Sequence, residues 1–280
     1  MSDPAAVVSR LRAAGCVFAE EEAALLLAAA SGQDLEALVV RRVAGEPLEH
    51  LLGWVSFAGA RYVVTPGVFV PRRRSELLVA TVVQWQSVGF RVGNRPTATG
   101  LPVLRVVELC CGAGAIGAAI SERVPGAEVW AADIDPVAVA CARRNLLPER
   151  VVEGDLYDAL PARLRGRIDV VVVNAPYVPT DAIATMPPEA RDHEPRVALD
   201  GGADGLDLHR RVVSEARPWL APGGTVVIET SRAQADGTAT AARAAGLTPR
   251  VVTDDELDAT AVVATLPSGK KPGPPYAGPL

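Results

Sequence analysis

The sequence has no CxxC pair and no cluster of Cys and His at metal-ligand spacing; its four cysteines are Cys16, Cys110, Cys111 and Cys141. That pattern excludes a zinc ribbon or a disulfide scaffold and fits reduced thiols in a cytoplasmic protein. No metal is expected. It also lacks an excess of positive charge, with 28 Lys and Arg against 33 Asp and Glu, a net charge of −5. A protein whose main task is gripping nucleic acid usually carries a basic face, so this balance argues against a stable nucleic-acid partner. No basic segment followed by an apolar core opens the chain, so no signal peptide is expected. The longest apolar runs, such as Ala23–Ala30, are too short to span a bilayer, so no membrane partner is expected either.

What is present is apolar mass: 49% of 280 residues are hydrophobic, ample for a real core. Apolar residues at helical spacing predict three short helices over 4–14, 20–30 and 34–44, with Asp34 as a cap of the third. WVSFAGARYVV (54–64) alternates about Ala58, Gly59 and Ala60 and predicts a β-hairpin. Pro71 stands at the entrance of a further helix. Residues 91–102, rich in Gly, Pro, Thr and Asn, read as a linker.

From Val103 the period changes. Strands are predicted over 103–109, 128–132, 151–153, 168–173, 224–229, 248–252 and 261–266. Helices over 115–123, 136–145, 207–219 and 233–244 alternate with them. This is a seven-stranded, mostly parallel, doubly wound α/β sheet. The last two strands are joined by about eight residues, too few for a crossover helix, and are therefore antiparallel. The organisation expected is a helical N-terminal part over 1–50 and a hairpin, helix and linker over 51–100. An α/β catalytic domain follows over 101–267, then a disordered Pro/Gly-rich tail over 268–280.

Two motifs carry chemistry. In VVELCCGAGAIG, Gly112, Gly114 and Gly117 follow a strand and open a helix, where the backbone can approach a ligand. Asp133 ends the next strand, placed to accept hydrogen bonds from ribose hydroxyls. Both a dinucleotide and S-adenosylmethionine suit that pair. Glu108, just before the loop, repels a pyrophosphate and attracts an ammonium group, which favours the methyl donor. The second motif is Asn174-Ala175-Pro176-Tyr177, after the all-valine strand end. Taken alone, NAPY is a turn that stops a strand. At the carboxyl end of a central strand it is also where open α/β sheets bind ligands. The Asn174 side-chain oxygen and the carbonyl of Ala175 can accept the two N–H groups of a planar nitrogen, with Pro176 stiffening the turn and Tyr177 offering a face.

At these residues the chain resembles the S-adenosylmethionine-dependent protein N5-glutamine methyltransferases that act on peptide-chain release factors, enzymes with a Rossmann-like methyltransferase domain. The resemblance rests on Arg41–Val79, on ELCCGAGAIG, on AADIDPVAVACARRN, on GDLYDAL, and on HEPRVALDGGADGLDLHRRVV (193–213). It implies a cofactor loop over Cys110, Cys111, Gly112, Ala113 and Gly114, Asp133 on the ribose and Leu156 near the adenine. Asn174 would touch both cofactor and substrate, Asn174 to Tyr177 would form the glutamine pocket, and the N-terminal helices would help bind the release factor. The enzyme is expected to act as a monomer.

Three positions depart from the family pattern. Ala175 stands where NPPY has its first Pro, Cys110 replaces a Gly, and PRRRSE replaces PRPET. A different protein substrate, or the amino group of adenine, is the alternative reading; an NAD-binding protein and a chain that binds without turnover are others. His50, His193 and His209 read as structural or surface residues, Glu229 as a polar strand end, and Asp204 and Asp207 as loop-shaping and capping groups. Arg72 to Arg74 read equally as a solvated helix start or a contact for an acidic partner or RNA.

Overall fold

The computed structural model describes residues 3–87 and 103–268. The linker expected over 91–102 and most of the expected tail fall outside them.

Three helices open the chain: α1 (Pro4–Ala13), α2 (Ala19–Ala29) and α3 (Gly32–Val43), followed by the short α4 (Leu48–Leu52). They bury Leu11, Leu26, Leu35 and Val39 against one another. Asp34 does not cap α3: the N-cap is Ser31, and Asp34 lies inside the first turn. There its charge favours the positive end of the helix dipole instead.

Strands β1 (Trp54–Phe57) and β2 (Ala60–Val63) form the expected antiparallel hairpin. Ala58 and Gly59 both take positive φ, 50° and 80°, as a tight two-residue hairpin turn requires. After Pro71, Arg72 is still extended; a 3-10 turn over Arg73–Ser75 then leads into α5 (Glu76–Ser87). Phe57, Tyr62, Val64, Leu78 and Val82 share one buried cluster with Val106, Val172 and Val227 of the sheet. The hairpin and α5 are therefore packed into the sheet's own core.

The sheet consists of β3 (Arg105–Leu109), β4 (Glu128–Asp133), β5 (Val151–Glu153), β6 (Ile168–Val173), β7 (Leu220–Thr230), β8 (Thr248–Asp254) and β9 (Ala259–Thr265). Its order is β5-β4-β3-β6-β7-β9-β8. The first five strands pair in parallel; β9 pairs antiparallel with both β7 and β8. Helices α6 (Ala115–Arg123), α7 (Pro136–Ala142), α9 (Asp207–Ala216) and α10 (Ala235–Ala244) accompany the strands; α8 (Pro188–His193) belongs to the long segment after β6. Every residue of β6 is buried, because it lies between β3 and β7 with both faces covered.

Several details differ from the sequence reading: α7 ends at Ala142 rather than 145, and β7 begins at Leu220 rather than 224. Helix α9 ends at Ala216, three residues early. Its N-cap is Leu206, with no side-chain cap bond; Asp207 is its first residue, and Asp204 instead accepts from the Leu206 N–H at 3.1 Å. The chain from β3 winds to β4 and β5 on one side and returns to β6 on the other, so β3 and β6 are neighbours. The crevice outside their carboxyl ends is where such sheets bind ligands.

Candidate active site

A cavity of about 290 Å³ opens at that crevice, lined on one side by Glu108, Cys110 to Ala113, Asp133 and Leu156 and on the other by Asn174 to Tyr177. Gly114 borders the same loop. The expected site residues other than Gly114, from four separate stretches of sequence, therefore meet around one cleft.

The loop after β3 turns sharply. Cys110, Gly112 and Gly114 have φ of 53°, 53° and 71°. Cys110, at a position where the related family has Gly, pays about 1–2 kcal/mol of left-handed strain. The Cys111 N–H donates to the Ala132 carbonyl at 3.1 Å, hooking the loop to β4. A Cβ on Gly112 would meet nothing within 4 Å, since this glycine faces open space in the cleft. A Cβ on Gly117 would lie 2.6 Å from Glu108 Oε2. Only a bare helix start lets that carboxyl lie beneath α6, where it accepts from the Gly117 N–H at 2.8 Å.

Burial pushes the Glu108 carboxyl up to about 8; the Gly117 N–H opposes this and the Asp133 charge adds to it. Asp133 is held by backbone on both oxygens: Oδ2 accepts from Gly112 N–H at 2.8 Å and Oδ1 from Asp135 N–H at 2.9 Å. Each oxygen keeps a lone pair for a further donor. Burial raises both loop thiols far above the ordinary cysteine value, so neither Cys110 nor Cys111 is a nucleophile at neutral pH. The donor set therefore fits an uncharged-to-cationic nucleoside ligand. It offers carboxylates and a glycine with open space, and the arginines that line it, Arg72, Arg74 and Arg211, are paired with Glu194, Glu229 and Asp155 rather than left for a pyrophosphate.

On the other wall, Asn174 Nδ2 donates to Ser75 Oγ at 3.1 Å. Its Oδ1 is thereby turned toward the cleft; among the described residues no donor reaches it or the Ala175 carbonyl. The Tyr177 hydroxyl is not free. It donates to Glu229 Oε1 at 3.2 Å, and its ring lies 6.4 Å from that of His209.

The segment after the NAPY turn braces it. Val178 N–H donates to Leu199 O at 3.0 Å, Gly201 N–H to Val178 O at 2.9 Å and Thr180 N–H to Gly202 O at 3.0 Å. Gly205 lies so near that a Cβ there would sit 2.2 Å from the Tyr177 carbonyl. The ALDGGADGL run is thus the backing of the NAPY turn.

The arginines before α5 do not form a free basic patch. Arg72 pairs with the buried Glu194, and Arg74 Nε lies 3.5 Å from Glu229 Oε1. Arg73 alone is exposed without an ion pair among the described residues. Of the histidines, His50 Nε2 lies 2.8 Å from the Val68 carbonyl, and His209 is fully buried against Thr238. Burial pushes the His209 imidazole down to about 4, so it is neutral at pH 7. Ser75 and Glu194 escaped the sequence reading, which took Glu229 only as a polar strand end. The available signal for Glu229 was its position, an acid at the carboxyl end of β7 beside the cleft strand β6.

The family description "Methyltransferase small domain" matches residues 98–187. The release factor glutamine methyltransferase of Bifidobacterium longum is 33% identical over 274 residues, covering 85% of this chain and 89% of that one. The chain belongs to the release factor glutamine methyltransferase family. A second relative is the 4-amino-L-phenylalanine/4-methylamino-L-phenylalanine methyltransferase of Streptomyces pristinaespiralis. It is 36% identical, but the alignment covers 68% of this chain and 63% of that one. Among solved structures, the hMettl16 catalytic domain in complex with an RNA hairpin is similar, with a TM-score of 0.52 at 12% identity, covering 83% of this chain and 81% of that one. That likeness concerns the fold alone. Among the described residues, no helix is long and apolar enough to cross a membrane.

Proposed function

We propose that this protein transfers a methyl group from S-adenosylmethionine to the side-chain amide nitrogen of a glutamine in a peptide-chain release factor. The observation that carries this reading is the pair of unused acceptors, Asn174 Oδ1 and the Ala175 carbonyl, on the turn that ends β6 beside the Glu108 and Asp133 wall.

Glu108, Cys110 to Gly114, Asp133 and Leu156 hold the cofactor. When bound, S-adenosylmethionine supplies an electrophilic methyl group on a sulfonium. The remaining work belongs to the chain. An amide nitrogen is a poor nucleophile because its lone pair is delocalised into the carbonyl. Asn174 Oδ1 and the Ala175 carbonyl accept its two N–H groups, aim its lone pair across the cleft, and stabilise the positive charge that develops as the N–C bond forms and the methyl–sulfur bond breaks; the sulfur leaves as a neutral thioether and one N–H proton passes to solvent. Ala175 supplies this through its backbone, which explains how the chemistry tolerates Ala where the family pattern has Pro. The cost is a φ less restrained than proline's.

The N-terminal helices serve as a docking part for the protein substrate. Val17 and Phe18 are exposed in the turn between α1 and α2, and Val40 and Val43 on α3; Arg42 joins the helices to the cleft-side segment through Glu189 at 3.4 Å.

The test is mass spectrometry after incubation with a release-factor peptide containing Gly-Gly-Gln, with total RNA and 4-amino-L-phenylalanine in parallel arms. One methyl on the glutamine is expected. Asn174→Ala should lower kcat by about 10²–10³-fold. Label confined to RNA or to the aromatic amine, or an unchanged Asn174→Ala rate, would overturn the proposal.

A further inference from the structure

Asn145 follows α7 and does not itself line the cleft. Its side-chain amide makes three hydrogen bonds, each 2.8 Å long. Oδ1 accepts from the Val63 N–H, and Nδ2 donates to the Val63 carbonyl and to the Ala113 carbonyl. The first two join it to the end of β2, 82 positions away; the third joins it to the loop after β3, 32 positions away. Both Nδ2 hydrogens and the oxygen are engaged. The partners allow one orientation only. A flipped amide would set its oxygen against two carbonyls and its NH₂ against an N–H.

The two elements held in this way both lead into the cleft. Ala113 belongs to the loop that lines it, and Val63 stands four positions before Gly67, Val68 and Phe69, which line it as well. Other groups hold that second segment further along. His50 Nε2 lies 2.8 Å from the Val68 carbonyl, and Glu194 accepts from the Val70 N–H at 3.3 Å. Those ties run to α4 and to the end of α8; Asn145 supplies a tie to the loop. Its seat depends on Gly114. A Cβ there would stand 3.0 Å from Leu146 Cδ1 and 3.1 Å from Ala142 Cβ, so only glycine lets the end of α7 lie so close to the loop. The loop also carries three left-handed residues, Cys110, Gly112 and Gly114, and a backbone of that kind keeps its shape only when its surroundings hold it.

We infer that Asn145 is a positioning residue for the cofactor site. One amide outside the cleft fixes the Ala113 carbonyl against the end of β2, and with them the loop and the 67–69 segment that line the cleft. A ligand that stiffens the loop then also stiffens the hairpin, because the two share Asn145. The brace acts on cofactor binding, whichever substrate takes the methyl group.

The test uses the full chain, with S-adenosylmethionine as the probe and calorimetry as the first readout. Asn145→Ala removes all three bonds and should raise the dissociation constant roughly 3–10-fold. Asn145→Asp is nearly isosteric and keeps an acceptor for the Val63 N–H. Its carboxylate, however, faces the Val63 and Ala113 carbonyls with no hydrogen to offer, so it should bind at least as weakly as Asn145→Ala. Tyr62→Phe is the control. It cuts the bond that the Tyr62 hydroxyl donates to Glu122 Oε2 at 3.0 Å, which ties the same hairpin to the far end of α6. It should lower stability and leave the dissociation constant within about twofold. Hydrogen exchange is the second readout. In the wild type, S-adenosylmethionine should slow exchange over residues 54–63; in Asn145→Ala that slowing should be lost.

An Asn145→Asp protein that binds as the wild type does would reduce Asn145 to a space-filler and overturn the brace. So would a Tyr62→Phe protein that loses as much affinity as Asn145→Ala, since the effect would then be general hairpin stability. Wild-type hairpin exchange that ignores the cofactor would overturn it too, and that comparison needs no variant to fold. None of these readouts involves methyl transfer, so a failure of the proposed reaction leaves them decisive.

Discussion

The Gln234 side chain, at the start of α10, donates both hydrogens of its amide to the back of the site: to the Tyr177 carbonyl at 2.9 Å and to the Asp204 carbonyl at 3.0 Å. It ties the NAPY turn to the loop that backs it. Gln234→Ala removes both bonds and should destabilise the protein by about 1–2 kcal/mol, measured by urea unfolding. Because the turn carries the Asn174 and Ala175 acceptors, kcat should fall more than cofactor affinity does. A variant with reduced stability and unchanged kcat would separate the backing from the chemistry.

Glu108 predicts a pH dependence. Its folded-state value, pushed up to about 8 mainly by burial, lies above the ordinary glutamate value near 4.3. The ligand-free native state therefore holds a proton that the unfolded chain has lost. That contribution to stability is fully present below about pH 4 and fades as pH rises through about 8. Urea unfolding of the wild type should show this decline, and Glu108→Gln should flatten it. A cationic ligand needs the ionised form, so S-adenosylmethionine affinity should rise toward pH 8 by up to about tenfold per unit. Calorimetry in buffers of different ionisation enthalpy should record proton release on binding, absent in Glu108→Gln.

Gly117→Ala sets two effects against each other. Alanine in a helix is favoured over glycine by about 1 kcal/mol. Its Cβ, however, would stand 2.6 Å from Glu108 Oε2 and 3.1 Å from Val129 Cγ1. Neither neighbour can yield easily, since both are buried, and overpacking of this kind costs about 1–3 kcal/mol. The clash should win. The variant should melt at a lower temperature and bind S-adenosylmethionine more weakly, because Glu108 is displaced from the Gly117 N–H.

Arg72 and Arg73 are neighbours with opposite expectations. Among the described residues, Arg72→Ala leaves the buried Glu194 with only the Val70 N–H, 3.3 Å away. It should destabilise by about 1–3 kcal/mol, and more so at higher pH, where Glu194 must carry its charge. Arg73→Ala removes an exposed side chain and should stay within about 0.5 kcal/mol of the wild type. Equal effects in denaturant titration would contradict the division of the arginine run described above.

The seven strands, their alternation with helices, and the antiparallel end of the sheet are legible in the sequence to within a few residues. Periods of two and 3.6 are local properties, and the β6 valines announce their burial directly. The short helical turns over Thr180–Thr185 and Arg196–Ala198 were not legible. They have no amphipathic period and owe their shape to the turn they pack against.

The glycine loop, Glu108, Asp133 and NAPY could likewise be read, because each is a few residues long and sits at a strand end. Their chemistry follows from residue type and from the rule that ligands bind at the carboxyl ends of such strands. Which groups stand behind them was decided only by the tertiary structure. Ser75 meets Asn174 across 99 positions of sequence and Glu229 meets Tyr177 across 52. Those meetings exist because β6 is placed between β3 and β7, with α5 laid over the same core. A strand's order in a sheet depends on long-range pairing, and no local pattern carries it. The sequence by itself therefore determined what the site is made of, and the tertiary structure determined which way Asn174 faces.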